Sequence, residues 1–154
     1  MFTKVLYPTD FSEDAEKAIS YIEQLAAAGV QEVIVLHVIE DFGLEKIMES
    51  CRKAGFEEEE FKEDVLGSFI AEPQKKAKAI CQRFQDAGIG ASVRIEFGKA
   101  HRVISRLAEE EGVSLIVMGA QGKGKIASMV MGSVSEGTLR LSRVPVFVVR
   151  GDTD

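Results

Sequence analysis

The stretch "MGAQGKGKIASMVMGS", residues 118–133, decides how the rest of the chain is read. Its first half imitates the phosphate loop G-x-x-x-x-G-K through Gly119, Gly124 and Lys125. Such a loop then needs a Ser or Thr whose hydroxyl holds Mg²⁺, and Ile126 stands there instead. It also enters a long helix at once, whereas here a helix start waits until Gly132 and Ser133; the nearest partner acid, Asp41, is one among many. The dinucleotide pattern G-x-G-x-x-A, matched by "GKGKIA", fits no better. It opens a βαβ unit and expects an acid about 20 residues on, after the next strand. Only "VPVFVVRGDTD" remains for that. A third spacing uses every part: Gly119, two residues, Gly122, nine residues, Gly132, Ser133. Glycines at 119 and 122 allow a close backbone approach to a ribose and phosphate, where a Cβ would collide. Gly132 and the Ser133 hydroxyl then offer a helix N-terminus, whose free N–H groups and dipole favour an anion. Two plainer roles stay open: each glycine serves a turn, and Ser133 caps its helix.

Working outward, five apolar runs have strand character: 2–7, 32–39, 91–96, 114–118 and 144–149. Helical periods lie between them. Residues 13–28 place Ala15, Ala18, Ile19, Ile22, Leu25 and Ala26 on one face, with Ser12 as N-cap and Gly29 as the stop. Ala77, Ile80, Cys81 and Phe84 form a second stripe that ends at Ala87 and Gly88. Ala100, Val103, Ile104 and Leu107 form a third that ends at Gly112. A short last helix starts near Gly132 and Ser133 and finishes before Pro145. Strands alternating with helices specify a parallel sheet covered on both faces, and "VIVL" and "LIVM" are continuously apolar as such strands must be. The expected fold is a single Rossmann-like, doubly wound α/β domain over 1–154. Residues 40–68 break the rhythm with glycines and charges, and are expected to be a partly helical insertion overhanging the sheet. In such folds ligands bind beyond the carboxyl ends of the strands where strand order reverses. That rule nominates "YPTDFS", "HVIED", "FGKA" and "GAQGKGK".

Composition bounds the function. The 154 residues are 45% hydrophobic and 29% charged, with a net charge of −6 that argues against a general nucleic-acid binder. The glycine loop differs from this acidic background: 119–131 has no acid but holds Lys123 and Lys125, which suits a small anion. No apolar run approaches the roughly 18 residues of a membrane span, and the N-terminal residues lack the pattern of a secretory signal. The expectation is a cytoplasmic protein. Cys51 and Cys81 form no C-x-x-C, so reduced thiols are expected, and the "EEEE" run at 57–60 is read as a solvated face.

The glycine spacing, preceded by "LIVMG" and followed by "RVPVFVVR", closely resembles the universal stress protein family. The likeness spans the chain: "VLYPTDFSEDAEKAI" is similar to the family's first strand and helix, "VIVLHVIE" to its second strand. It implies a five-stranded parallel sheet of order 3-2-1-4-5 and a homodimer built through the last strand, from Val144 to Val149. Independently, that strand would be an edge, which tolerates Pro145. The glycine spacing marks the family's ATP binders. Carried over by position, Pro8, Thr9 and Asp10 lie beside the adenosine, and the Val38 backbone faces adenine. Met118, Gly119 and Gly122 then resemble the ribose and α-phosphate side, and Gly132, Ser133 and Val134 the outer-phosphate side. The resemblance further implies Mg²⁺ or Mn²⁺ carried in by the nucleotide. The sequence departs from many relatives at Gln121, where they carry His or a bulky polar residue.

Asp10 equally serves to cap a turn before the first helix. His37 reads as a satisfied core histidine, and His101 as a surface or capping residue. Neither a nucleophile nor paired carboxylates stand in the candidate loops, so a nucleotide-dependent switch is favoured over a fast enzyme. A slow or partner-stimulated ATPase and a nucleotide-free dimeric scaffold are the alternatives.

Overall fold

The computed structural model describes residues 2–40, 44–121 and 131–151. Strand β1 (Lys4–Pro8) sets its plan. Successive side chains of a strand point to opposite faces, yet Val5, Leu6 and Tyr7 are all fully buried, so both faces are covered. β1 runs parallel to β2 (Glu32–Ile39) on one side, pairing Val5 with Val33, and to β4 (Leu115–Gly119) on the other, pairing Val5 with Leu115. β3 (Gly90–Phe97) adds beside β2, and β5 (Val146–Val149) beside β4. The order β3-β2-β1-β4-β5 is the expected one, and the chain reverses direction of travel across the sheet between β1 and β4.

Two cores follow from the alternation. On one face Val5, Tyr7, Val33, Val35 and Val117 pack against Ala18, Ile19 and Ile22 of α1 (Glu13–Leu25) and Ala77, Cys81 and Phe84 of α3 (Glu58–Asp86). On the other, Leu6, Ile34, Leu36, Ile116 and Met118 pack against Ala100, Ile104 and Leu107 of α4 (Ala100–Glu110). α5 (Ser133–Leu141) lies beside α4. Its Gly137 makes that closeness possible, because a Cβ there would sit 2.7 Å from the imidazole Cγ of His101. His101 is thus a half-buried interhelix contact, which corrects the surface or capping role expected from its place early in a helix.

The expected stops hold. Ser12 caps α1 by accepting the Ala15 N–H at 3.3 Å, and Gly29, Gly88 and Gly112 leave their helices with positive φ. Several boundaries differ: β1 starts two residues later than expected, and the helix expected over 13–28 is α-helical only to Leu25, with a 3-10 turn over Ala26–Ala28. β5 begins at Val146, because Pro145 has no N–H and joins the ladder only through its carbonyl, which accepts from Ile116 N–H at 2.9 Å. The stripe expected around 77–84 is the end of a 29-residue helix. Its earlier described side chains are mostly exposed, so no apolar period marks them, and Pro73 reads as a breaker. The helix continues through Pro73 because the one bond it removes, to the Phe69 carbonyl, lies on an exposed stretch where solvent replaces it. The segment expected as an insertion therefore holds α2 (Leu44–Lys53), packed on α3, and the first turns of α3 itself. Among the described residues no helix is long and apolar enough to cross a membrane.

Candidate functional site

Where the strand order reverses, the carboxyl ends of β1 and β4 splay apart and leave an open crevice of about 490 Å³. That space is continuous with solvent at the mouth of the crevice. One wall is apolar: Leu36 and Val38 from β2, Ala100 and Ile104 from α4, Met118 from β4 and Val134 from α5. The opposite rim is polar: Thr9, Asp10 and Ser12 from the loop after β1, Gln121 after β4 and Ser135 from α5. Pro8, Ala15 and Gly119 complete it.

The loop after β1 is held by its own hydrogen bonds. The Thr9 N–H donates to the Leu36 carbonyl at 2.8 Å, extending the sheet one residue past the end of β1. The Thr9 hydroxyl accepts the Phe11 N–H at 2.9 Å, and Asp10 Oδ1 accepts the Ser12 N–H at 3.0 Å. Asp10 therefore closes a turn, as the plainer reading expected, and in the same pose borders the crevice. Phe11 between these residues has φ of +64°, the left-handed region that non-glycine residues rarely enter.

The end of β4 shows why residue 119 is glycine. A Cβ there would lie 2.8 Å from the Ala15 nitrogen and 2.8 Å from the Asp14 carbonyl carbon, both backbone atoms of α1. The approach that Gly119 permits in this structure is thus between β4 and α1, and it draws the first turn of α1 onto the crevice floor. The Ser135 hydroxyl donates to the Gly119 carbonyl at 2.6 Å, and the Gly132 N–H to the Ala120 carbonyl at 2.6 Å, so α5 begins beside the same strand end. Gly132 is the N-cap of α5 and no side chain caps that terminus. Ser133 is the first helical residue, which corrects the reading of it as the cap. The first helical bond runs from Glu136 N–H to Gly132 carbonyl at 3.0 Å, and the N–H groups of 133–135 precede it.

Tyr7 lies under the loop rather than in the crevice. Its hydroxyl donates to the Ala15 carbonyl at 2.5 Å, and burial pushes the phenol well above its ordinary value. Among the described residues no group of three or more His, Cys, Asp and Glu side chains could hold a metal ion.

Of the ten residues that the sequence nominated, Pro8, Thr9, Asp10, Val38, Met118, Gly119 and Val134 line one crevice. Gly132 and Ser133 stand at the adjoining helix start but not in its lining, and Gly122, with Lys123, Gly124 and Lys125, lies outside the described residues. Seven lining residues were missed as site residues. Ser12 and Ala100 lay in the nominated loops "YPTDFS" and "FGKA" but were read individually as cap and core, and Ala15 and Ile104 carried only core signals. Leu36 is two positions from Val38, so the alternation of β2 could have placed both on one face. Gln121 lies in the nominated loop "GAQGKGK" and stood out only as a departure from relatives, and Ser135 carried no signal beyond its nearness to that loop.

The model of the universal stress protein family matches residues 1–150. Universal stress protein MJ0577 of Methanocaldococcus jannaschii is 34% identical over 155 residues, covering 97% of this chain and 96% of that protein. Universal stress protein YxiE of Bacillus subtilis is 31% identical over 153 residues, covering 97% of this chain and all of that one, 100%. The solved structure of MJ0577 superposes with a TM-score of 0.85, covering 100% of this chain and 99% of that one. Two more distant structures share the fold. A universal stress protein in complex with cAMP is 22% identical with a TM-score of 0.66, over 97% of each chain. The universal stress protein from Archaeoglobus fulgidus in complex with dAMP is 17% identical with a TM-score of 0.64, covering 97% of this chain and 98% of that one.

Proposed function

The chain belongs to the universal stress protein family, and on that premise we propose that its crevice binds an adenine nucleotide, ATP foremost, as a nucleotide-dependent switch in the cytoplasmic stress response. The observation that carries this reading is one cavity that joins an apolar slot to an uncapped helix N-terminus across a glycine strand end. The base enters between Leu36, Val38, Ala100 and Ile104, with the Val38 backbone at its polar edge. The Asp10 carboxylate accepts from the nucleoside. Met118, Gly119 and Gly122 border the ribose and α-phosphate, and Gly132, Ser133 and Val134 receive the outer phosphates at the start of α5. Mg²⁺ or Mn²⁺ arrives on the polyphosphate. This fits a described site whose only lining carboxylate is Asp10. Members of this fold in complex with cAMP and with dAMP add support from outside the chain.

The switch is proposed to be a homodimer through β5. That strand is the open edge beside β4, its Phe147 is 40% exposed, and the exposed Tyr21 ring lies beside it, with centroids 5.9 Å apart and planes inclined by 45°. The other edge, β3, is guarded differently: Arg94 bonds Glu96 and Glu111 at 2.7 Å each, which places charge along it.

Isothermal calorimetry with ATP, ADP, AMP and cyclic AMP, repeated on Gly122→Val, tests the site. Saturable binding of adenine nucleotides that the valine abolishes is expected. Equal binding by the variant refutes the assignment of Gly122, and no binding by the unaltered protein refutes the function. Phosphate release at multiple turnover would move the reading to an ATPase.

A further inference from the structure

Behind the loop that carries Thr9 and Asp10, three side chains from separate elements meet. The Phe11 ring stacks on the imidazole of His37 at the end of β2, with centroids 4.9 Å apart and planes inclined by 27°. Lys76 of α3 holds its Nζ over the Phe11 ring, 5.4 Å from the centroid. His37 Nδ1 is 2.8 Å from the Thr9 carbonyl oxygen. A carbonyl only accepts, so Nδ1 carries the proton and donates it there. None of the three side chains borders the crevice.

Each contact acts on a ligand-facing residue from its far side. The His37 bond fixes the Thr9 carbonyl, while the Thr9 N–H is fixed from Leu36, so Thr9 is held at both ends. Phe11 is the residue whose left-handed φ turns the chain between Asp10 and Ser12. A bulky side chain disfavours that backbone, so surrounding contacts hold it there: the stack on His37, the Lys76 cation, packing against the core that faces α1 and α3, and the Phe11 N–H bond to Thr9. The turn carries Asp10 with it: in this conformation of Phe11, Oδ1 accepts the Ser12 N–H at 3.0 Å.

We propose that Phe11 and His37, steadied by Lys76, are positioning residues that lock Thr9 and Asp10 into their crevice-facing geometry and thereby set nucleotide affinity. The consequence for affinity rests on the nucleotide reading above; the consequence for the loop does not.

The two are therefore measured separately. In the ligand-free protein, hydrogen exchange of the Ser12 amide reports whether the Asp10 turn is closed. Phe11→Leu keeps an apolar side chain without the stack, and His37→Phe keeps a ring without the donor. Both are expected to speed Ser12 exchange at least tenfold relative to the amides of β1, while Phe11→Tyr restores the native rate. The same two variants are expected to weaken ATP binding by about tenfold, a loss of about 1.4 kcal/mol, and Phe11→Tyr to recover it. Lys76→Met, at an exposed position that tolerates replacement, loses only the cation over the ring and should weaken binding about threefold. This variant still decides the matter if the others fail to fold. Unchanged Ser12 exchange in the folded variants overturns the positioning role, and faster exchange with unchanged affinity overturns its link to binding. An unaltered protein that does not bind ATP defeats the nucleotide reading alone, because faster Ser12 exchange in the variants would still support the locked loop.

Discussion

Replacing Gly119 by alanine tests the contact that sets the crevice floor. The added methyl carbon would stand 2.8 Å from two backbone atoms of α1, Ala15 N and Asp14 C, where ordinary contact begins at 3.4 Å. About 0.6 Å must be made up by parting β4 from the first turn of α1. Neither neighbour is a side-chain tip that can swing aside. α1 is fixed there by Ser12 and by the Tyr7 bond to Ala15, and β4 by its pairing with β5, which sets Gly119 opposite Val149. Overpacking against rigid surroundings costs about 1–3 kcal/mol, and the backbone contact on two atoms places this case near 2 kcal/mol. In a domain of this size each kcal/mol moves the melting midpoint by about 2–4 °C, so Gly119→Ala should melt about 4–8 °C lower. Urea unfolding should show a lower midpoint with an unchanged slope. The shifted floor should also weaken ATP binding beyond what the loss of stability explains. A midpoint within 1 °C of the unaltered protein, on the order of the ±0.5 kcal/mol that uneventful substitutions cause, would refute the close contact.

Other substitutions probe independent parts of the account. Gly67→Ala in α3 meets nothing within 4 Å and requires no positive φ, so it should stabilise that helix by about 1 kcal/mol, read from slower amide exchange around residue 67; faster exchange would contradict an exposed helix interior there. Tyr7→Phe should cost about 1 kcal/mol at neutral pH through the lost bond to Ala15. It should also change the alkaline limb. Burial raises the folded phenol above its ordinary value of 10.0, so above pH 10 the unfolded chain sheds a proton that the folded one keeps. The contribution of Tyr7 is full below that pH and is lost at about 1.4 kcal/mol per pH unit above it, until the folded phenol itself ionises. Urea titrations at pH 9, 10 and 11 should show this slope in the unaltered protein and a shallower one in Tyr7→Phe; equal slopes would contradict it. Phe147→Arg places a charge on the open β5 edge and should convert a dimer to monomers in sedimentation; a monomeric unaltered protein, or a variant still dimeric, would remove the proposed interface.

Much of the fold was legible because its signals are local. "VIVL" and "LIVM" are apolar throughout since both faces of β2 and β4 are covered, and Gly29, Gly88 and Gly112 stop helices for a backbone reason that needs no tertiary contact. The strand order was not local information, and it came from resemblance. The long α3 was hidden because its first turns lack a buried stripe and contain Pro73. In the site, the glycine spacing pointed to the right strand end, but the close neighbour of Gly119 is α1, a relation across about a hundred residues that no spacing encodes. Phe11 and His37 were invisible as positioning groups for the same reason: one looks like a loop aromatic and the other like a core histidine until the fold stacks them.

The central claim is that a nucleotide occupies the crevice between β1 and β4. Titration of isotopically labelled protein with ATP, followed through backbone amide shifts, tests it most directly. Saturable shifts concentrated at 9–12, 36–38, 119–121 and 132–135 are predicted. Shifts centred elsewhere, on α2 and α3 for example, or none at millimolar ATP, would contradict it.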